Sequence, residues 1–265
     1  PIALALAPGS ILAQAASPSA LSLAGPWRFQ LDREDAGTPQ RWFAKTLPGK
    51  LKLPGSLPGQ GLGDPVTVET RWMGGIVDKS FFTAPEYGKY RLPGNVKVPF
   101  WLQPETYYAG VAWYQRDIEI PPGWADQRVV LFLERPHWET RVWVEDRLIG
   151  TNDSLSVPHQ YDLGTGLAPG KHTLTLRVDN RMVIDIGENS HSVSDHTQGN
   201  WNGIVGRMEL RATPPVWIED LQVFPQFTPQ SVKVKGTLGN ATARIGQGQL
   251  RLSVQPISSR SRRAK

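Results

Sequence analysis

The feature that most constrains the fold is the regular alternation of apolar and polar residues over positions 171–179. Leu174, Leu176 and Val178 fall on one side of an extended chain, and the polar residues between them fall on the other. Further short segments of this kind recur between turns rich in Gly and Pro, and no segment has sustained helical periodicity. The sequence therefore predicts an all-β fold, a jelly-roll β-sandwich built from many short strands.

A domain boundary is predicted at Thr213-Pro214-Pro215. Before it, the best strands cover residues 27–31, 111–120, 128–134, 140–145 and 205–211. Residues 128–134 contain VVLFL, which is apolar on both faces and predicts a central strand. After the boundary, residues 216–224, 231–238 and 249–254 predict three strands, fewer than the roughly seven of an immunoglobulin-like sandwich. We expect one sandwich over residues 19–213 and a truncated immunoglobulin-like β-sandwich over residues 214–256.

The two ends of the chain have different compositions. Residues 1–18 are apolar and rich in small side chains, and Ala13-Gln14-Ala15 has the small-x-small form of a cleavage site. We expect a signal-peptide remnant or a disordered tail here, and export to the periplasm or the extracellular space. Pro1 stands where a start codon would give Met, so the start is expected to lie upstream. Residues 257–265 read as a basic tail.

Charge and cysteine content limit the kinds of partner that the chain is expected to bind. The formal net charge is +5, but much of the excess is Arg260, Arg262, Arg263 and Lys265, and other basic residues are scattered among acids. A nucleic-acid interface needs clustered Lys and Arg, so we expect no nucleic-acid partner. The absence of cysteine excludes disulfides and Cys-ligated metals. The apolar run at the N-terminus is too short to span a bilayer.

Residues 64–108 form an irregular insertion that is rich in aromatic side chains, including Trp72, Trp101 and Tyr107. A segment of this length without regular structure is unusual in a compact domain. Either it carries function or it packs over the sheet, and packing is the more common fate of such aromatics.

Residues 180–202, here called the polar loop, follow the strand at 171–179 and are dense in Asp, His, Asn and Ser. Carboxylates accept hydrogen bonds from adjacent hydroxyls, and amides both donate and accept. We therefore interpret the loop as a candidate carbohydrate contact formed by Asp195, His196, Trp201 and Asn202. Turn formation and anchoring of the loop are alternative roles for the same side chains.

His191 and His196 are five residues apart and have Asp185 and Asp195 nearby. A His/Asp metal site is conceivable, but this spacing fits no defined ligand motif. We expect no metal and no cofactor.

The order of several motifs resembles the family 2 glycoside hydrolases, which include β-galactosidases, β-glucuronidases and β-mannosidases. The matching segments are Gly25-Pro26-Trp27-Arg28-Phe29, Leu53-Pro54-Gly55-Ser56, Trp113-Tyr114-Gln115-Arg116 with Pro121, residues 142–150, residues 167–180 ending in Asp179-Asn180, and residues 203–210. One departure is Asp146-Arg147, where the family usually has an Asn-Gly turn. The motifs extend over about 195 residues in the family's order.

The resemblance implies a function for each part of the chain. It implies that this chain is the N-terminal sugar-binding, galactose-binding-domain-like jelly roll of an exported β-glycosidase, followed by part of the immunoglobulin-like domain. The family's catalytic (β/α)₈ barrel would be absent, and with it both catalytic glutamates. Asp179 and Asn180 match the family positions at the start of the sugar-contacting loop. The implied partners are a β-glycoside, bound at its non-reducing sugar, and the missing barrel.

Two other functions stay open. The first alternative is a free-standing carbohydrate-binding module. The second is a β-sandwich interaction domain without a catalytic or sugar-binding role. A self-contained active site would need two carboxylates about 5–5.5 Å apart for a retaining glycosidase. Asp185, Glu188 and Asp195 share the polar loop, but nothing in the sequence holds them together. We assign no catalytic residue, and expect the chain alone not to be an enzyme.

Overall fold

The computed structural model describes residues 19–249 and 251–253. The predicted signal-peptide remnant and basic tail lie outside these residues. Strands dominate the described chain, and the prediction of an all-β sandwich is confirmed. Its helical segments are short: the α-helix α1 (Ser80–Thr83) and 3₁₀ turns at Trp42–Ala44, Pro58–Gln60, Pro85–Tyr90 and Pro122–Trp124.

Two antiparallel sheets make up the sandwich. The strands are β1 (Ser19–Ser22), β2 (Gly25–Asp32), β3 (Gly49–Leu53), β4 (Gly55–Ser56), β5 (Asp64–Pro65), β6 (Thr106–Tyr107), β7 (Val111–Ile120), β8 (Arg128–His137), β9 (Glu139–Val144), β10 (Arg147–Asn152), β11 (His159–Gly164), β12 (Gly170–Asp179), β13 (Gly203–Thr213), β14 (Val216–Gln226) and β15 (Ser231–Asn240). One sheet has the order β10-β9-β12-β7-β2-β3, and the other has the order β1-β13-β8-β11, with β4 also paired to β13.

Strand β8 is central, as its sequence predicts. Val129, Leu131 and Leu133 are completely buried in the core between the sheets. On the opposite face of the same strand, the guanidinium of Arg211 lies 3.7 Å from the ring centroid of Phe132. A long cationic side chain thus covers the outward apolar face, which explains why a run apolar on both sides is stable here.

Strand β12 shows the expected alternation, but neither face is open to water. Leu174, Leu176 and Val178 are completely buried in the core. The polar face is buried too, because Thr175 and Arg177 lie under the chain that connects β2 to β3. Alternation therefore identified the inward face of the strand correctly and did not reveal that the other face is covered.

The aromatic-rich insertion packs over one end of the sandwich and has a small core of its own. Trp72, Phe81 and Tyr107 are buried in that core together with Ile76 and Val98. Trp72 contacts Tyr107 at a ring-centroid distance of 4.6 Å. Packing, the second of the two alternatives given above, accounts for most of the insertion.

Strands β14 and β15 form a separate two-stranded ladder after the sandwich. The register places the apolar side chains of both strands on one face, and these are largely exposed: Val216, Ile218, Leu221, Val223, Val232 and Leu238. The predicted third strand at residues 249–254 is wrong where it can be assessed, because residues 249 and 251–253 have no regular structure. The remaining two positions lie outside the described residues. Whether this ladder belongs to an immunoglobulin-like domain stays a prediction.

In the part of the chain that the structure describes, every helix is too short or too polar to cross a bilayer.

A pair of matched substitutions tests the difference between core and ladder. Val129→Ala removes a completely buried side chain of β8, and Val223→Ala removes one that is mostly exposed on β14. We expect Val129→Ala to lower the free energy of unfolding by about 2 kcal/mol. Val223→Ala should change it by less than about 0.5 kcal/mol. Urea unfolding followed by Trp fluorescence measures both, and equal losses would contradict the placement of the ladder outside the core.

Candidate functional site

The polar loop begins after β12, ends at β13, and has a fixed return point. Gly203, the first residue of β13, has φ +149°, a conformation that side-chain-bearing residues rarely adopt. A Cβ on Gly203 would overlap the carbonyl oxygen of Gly55 and lie 2.8 Å from the Cα of Ser56. The loop therefore re-enters the sheet where β13 passes directly against β4, and only glycine fits there.

Two asparagines hold the ends of the polar loop together. The side-chain oxygen of Asn180 accepts from the backbone N–H of Gly110 at 2.8 Å, and its amide donates to the carbonyl of Tyr108 at 2.8 Å. The amide of Asn202 donates to the carbonyls of Gly110 (2.9 Å) and Val178 (3.0 Å). Both asparagines are completely buried. They satisfy backbone groups that would otherwise be buried without partners.

A tyrosine from the sandwich completes this network. The hydroxyl of Tyr114, on β7, donates to the side-chain oxygen of Asn202 at 2.6 Å. Burial raises the pKa of Tyr114 well above its ordinary value, so the hydroxyl keeps its proton as a donor. Asn200 adds a further bond, since its amide donates to the carbonyl of Asn180 at 2.8 Å.

Asp195 connects the polar loop to the insertion. Its carboxylate accepts from the hydroxyl of Tyr107 at 2.6 Å, and from the backbone N–H groups of Met73 and Asn200 at 2.7 Å each. The carboxylate is buried, and burial raises the pKa of Asp195 even though these hydrogen bonds lower it. The three hydrogen bonds give Asp195 a structural role, because they hold the polar loop against the insertion.

Asp179 lies in a cluster of ion pairs. Arg177 donates to Asp35 at 2.8 Å and contacts Asp179 at 3.3 Å, and Arg181 contacts both carboxylates at 2.7 and 2.5 Å. Burial alone raises the pKa of Asp35, but its bonds to the two arginines outweigh this and leave that pKa below its ordinary value. The cluster ties the chain after β2 to the start of the polar loop.

A cavity of about 380 Å³ opens beside Trp201, and we call it the Trp201 pocket. It lies between the polar loop, the end of β8, the segment after β10 and the insertion. Its lining residues are Trp101, Leu102, Arg135, Pro136, His137, Leu155, Ser192, Asp195, Thr197, Gln198, Gly199 and Trp201. The volume is within the roughly 300–1,000 Å³ of small-molecule sites, and a mixture of aromatic and polar lining is typical of them.

His137 supports the ring of Trp201. The two rings stack with centroids 4.9 Å apart and planes 26° apart. The Nδ1 atom of His137 lies 2.8 Å from the carbonyl of Trp201, and its Nε2 atom lies 3.0 Å from the carbonyl of Ser192. Burial lowers the pKa of His137, although the two carbonyls oppose that change. A neutral imidazole donates from one nitrogen only, so one of the two carbonyls receives no proton.

The six candidate contacts from the sequence thus separate into two groups. Asp179, Asn180, Asp195 and Asn202 are buried, and their polar atoms are engaged within the protein. Trp201 is partly exposed in the pocket, and His196 is partly exposed beside it, with a buried Nδ1 that has no partner among the described residues. A direct sugar contact by the buried four stays a prediction, and the role that the structure shows for them is to hold the loop.

Sequence reasoning missed three members of the pocket: Trp101, Arg135 and His137. Trp101 was one aromatic among many in the insertion. Nothing local in the sequence shows that these residues meet the polar loop.

The three acids of the polar loop have different surroundings. Asp185 is exposed and accepts from the backbone N–H of Gly187 at 3.0 Å, and Glu188 is exposed. Asp195 is buried against Tyr107 and Met73, as described above. Across residues 19–249 and 251–253, no three His, Cys, Asp or Glu side chains are grouped to hold a metal ion.

Comparison with known proteins agrees with this architecture. Residues 21–214 match the model of the family "Glycosyl hydrolases family 2, sugar binding domain". The chain is 26% identical to a β-galactosidase of Arthrobacter sp. (strain B7) over 76% of its own length, and 22% identical to a β-galactosidase of Aeromonas hydrophila over 80%. It spans only 19% of each relative.

Solved structures show the same fold. A β-glucuronidase of an uncultured Clostridium sp. superposes with a TM-score of 0.53 at 19% identity, covering 84% of this chain and 34% of that one. A β-glucuronidase of Ruminococcus gnavus gives 0.55 at 16% identity, covering 85% and 34%. The described fold is therefore that of the family's sugar-binding domain, a β-sandwich. The chain belongs to glycoside hydrolase family 2, through its sugar-binding domain.

The burial of His137 predicts a pH dependence of stability. Because the pKa of His137 is lower in the folded protein, the unfolded chain binds more protons once the pH falls below about 6.5. The stability that the folded protein gains from keeping His137 neutral is therefore fully present above that pH and is lost as the pH falls below it. We expect wild-type stability to decrease between pH 7.5 and 5.5 by up to about 1.4 kcal/mol per pH unit for each such histidine.

The matched variants are His137→Gln and His191→Gln, since His191 is an exposed histidine of the polar loop. Urea unfolding across this pH range should show a shallower decrease for His137→Gln and the wild-type decrease for His191→Gln. His159, whose pKa is also lowered by burial, leaves a residual slope in both. The same slope in all three proteins would contradict a neutral, buried His137.

The contact between Asp195 and Tyr107 is tested by a double-mutant cycle. Asp195→Ala leaves the buried N–H of Asn200 without its acceptor and the N–H of Met73 with only the Tyr107 hydroxyl at 3.0 Å, so we expect a loss of about 3 kcal/mol. Tyr107→Phe removes one donor and should cost about 1–2 kcal/mol. Because the residues bond directly, the double variant should be less destabilised than the sum of the two. Additive losses in urea unfolding would show that the insertion is not held through this pair.

Proposed function

We propose that this chain is the sugar-binding part of an exported β-glycosidase and contributes sugar contacts to an active site whose catalytic residues lie in another domain. The observation that carries the proposal is the family match over residues 21–214 combined with the Trp201 pocket on the polar loop. The antiparallel pairing of the described strands supports this division, because the strands of a (β/α)₈ barrel are parallel. Export is supported by the apolar residues near the N-terminus and by Ala13-Gln14-Ala15.

The pocket suits one face of a sugar ring. The Trp201 indole is held by stacking on His137 and offers an apolar surface for sugar C–H groups. Around it, the hydroxyls of Ser192 and Thr197 donate within the loop, to the Gln198 side chain at 2.8 Å and the carbonyl of Ser194 at 2.7 Å. Their oxygens can still accept from sugar hydroxyls, and the amide of Gln198 can donate to them. His196, partly exposed beside the pocket, adds a further polar group. Asn180, Asn202 and Asp195 hold the loop that presents these side chains.

The ladder of β14 and β15 supports a second domain. Its exposed apolar face, with Ile218, Leu221 and Val223 at its centre, has the character of one half of a sandwich core. We propose that further strands of an immunoglobulin-like domain cover this face in the complete enzyme.

Calorimetry with the purified chain tests sugar binding. We expect methyl β-galactoside or methyl β-glucuronide to bind weakly, with a dissociation constant in the millimolar range, because part of the subsite belongs to another domain. Trp201→Ala should weaken binding at least tenfold. Trp217→Ala, a tryptophan substitution on the β14 strand, is the matched control and should leave binding unchanged. Equal binding by both variants would contradict a role for the Trp201 pocket.

A turnover assay separates binding from catalysis. The purified chain should not hydrolyse nitrophenyl β-galactoside or nitrophenyl β-glucuronide, since the catalytic residues are proposed to lie in another domain. Hydrolysis that is abolished by substitution of Asp185, Glu188 or Asp195 would overturn the proposed division of labour.

A free-standing carbohydrate-binding module is the second candidate, and the open pocket within the described residues favours it. A module must bind sugar without help from another domain. A dissociation constant below about 100 μM for the isolated chain, more than 5 kcal/mol of binding free energy, would support this alternative.

A further inference from the structure

Trp101 is displayed on the rim of the Trp201 pocket by the insertion. Its side chain is 91% exposed and that of Leu102 is 72% exposed, although the segment around them is tightly held. Phe100 packs edge-to-face on Trp72 at 5.1 Å. The side chain of Gln103 bonds the N–H of Val98 and the carbonyl of Val96 at 2.8 Å each. Neighbouring aromatic residues thus face opposite ways, Phe100 inward and Trp101 into water.

The two tryptophans of the pocket are connected through Asp195. Trp101 belongs to the insertion and Trp201 to the polar loop. Asp195 bonds Tyr107 and Met73 of the insertion while its own backbone is part of the loop. The two aromatic walls are therefore fixed relative to one another. An exposed aromatic pair on a fixed frame is typical of a binding surface.

Arg135 gives the pocket a positive charge. It is exposed at the end of β8 and, among the residues that the structure describes, no carboxylate forms an ion pair with it. Its neighbour Glu134 is engaged by Arg207 at 2.9 Å on the strand β13. Nearby arginines have partners, as Arg128 does in Asp162 at 2.7 Å. An unpaired guanidinium beside aromatic rings is suited to a carboxylate on a ligand.

The other titratable groups of the pocket do not cancel this charge. The carboxylate of Asp195 is buried and accepts from three donors, and burial raises its pKa. His137 is buried behind Trp201. A ligand entering from solvent therefore meets a cationic, aromatic surface.

We propose that the Trp201 pocket binds an acidic oligosaccharide, with Arg135 holding a carboxylate of the ligand and Trp101 and Trp201 contacting two of its sugar rings. The proposal rests on the sugar-binding function proposed above and names its ligand class. The cavity of about 380 Å³ is open to solvent at the Trp101 rim, which leaves room for a chain longer than one ring. Trp101 and Arg135 thus become determinants of specificity.

The experiment compares two ligands that differ only at C6. Cellotriose is neutral, and the trimer of β-1,4-linked glucuronic acid has the same backbone and linkage with carboxylates at C6. Calorimetry at low salt should show the acidic trimer binding about tenfold more tightly than cellotriose. This preference should vanish in Arg135→Gln and persist in Arg71→Gln, which removes the same charge from an exposed site of the insertion outside the pocket. It should also weaken with added salt.

A second variant tests the extended site. Trp101→Ala should weaken both trimers about tenfold while leaving the binding of a methyl glycoside within twofold, because the single ring reaches Trp201 alone.

The outcomes separate the two proposals. If neither trimer and no methyl glycoside binds, the proposed sugar-binding function fails. If sugars bind without preference for the acidic trimer, or if Arg135→Gln keeps the preference, the ligand class proposed here is wrong and the sugar-binding function stands. Sedimentation experiments test whether the protein dimerises through Trp101. If Trp101→Ala abolishes a dimer of the protein while the binding of both trisaccharides is unchanged, Trp101 mediates contact between copies and its proposed role in sugar binding is wrong.

Discussion

The structure depends on a small set of buried side-chain amides, which lie where the polar loop leaves and re-enters the sandwich. Asn180 and Asn202 stand at the two ends of the polar loop and together bond backbone groups of Tyr108, Gly110 and Val178. A backbone group buried there without a partner would cost about 1–3 kcal/mol. A loop of more than twenty residues with little regular structure can be held over the sandwich because these bonds fix its ends.

Much of the fold could be predicted from the sequence, because the pattern of apolar residues within a single strand determines which of its faces is buried. Alternation in residues 171–179 gave the inward face of β12, and the doubly apolar VVLFL gave a central β8. Burial of the outward face depends on partners remote in sequence, such as Asp35 for Arg177 and Arg211 for Phe132. The error at residues 249–254 has the same origin, since alternation over six residues shows what a strand would look like and not whether a neighbour exists to pair with it.

The sequence indicated the loop that borders the Trp201 pocket, but not the roles of its side chains. Asp and Asn serve equally well as ligand contacts and as bonds to the chain's own backbone. The structure places the asparagines in the second role. The accessible groups of the pocket, Trp101 and Arg135, are separated from Trp201 by 66 or more positions, and only tertiary packing brings them to one cavity.

Because the polar loop re-enters the sheet at Gly203, where only glycine fits, both ends of the loop have fixed positions. The chain leaves the sandwich at Asn180 and comes back at Asn202. Most partners of these two asparagines, and the backbone contact between Gly203 and Gly55, lie outside the segment between them. Changes in the exposed part of the intervening segment, residues 184–189, therefore have little effect on the pairing of the sheets. The side chains that line the pocket can vary while the sandwich that supports them stays the same.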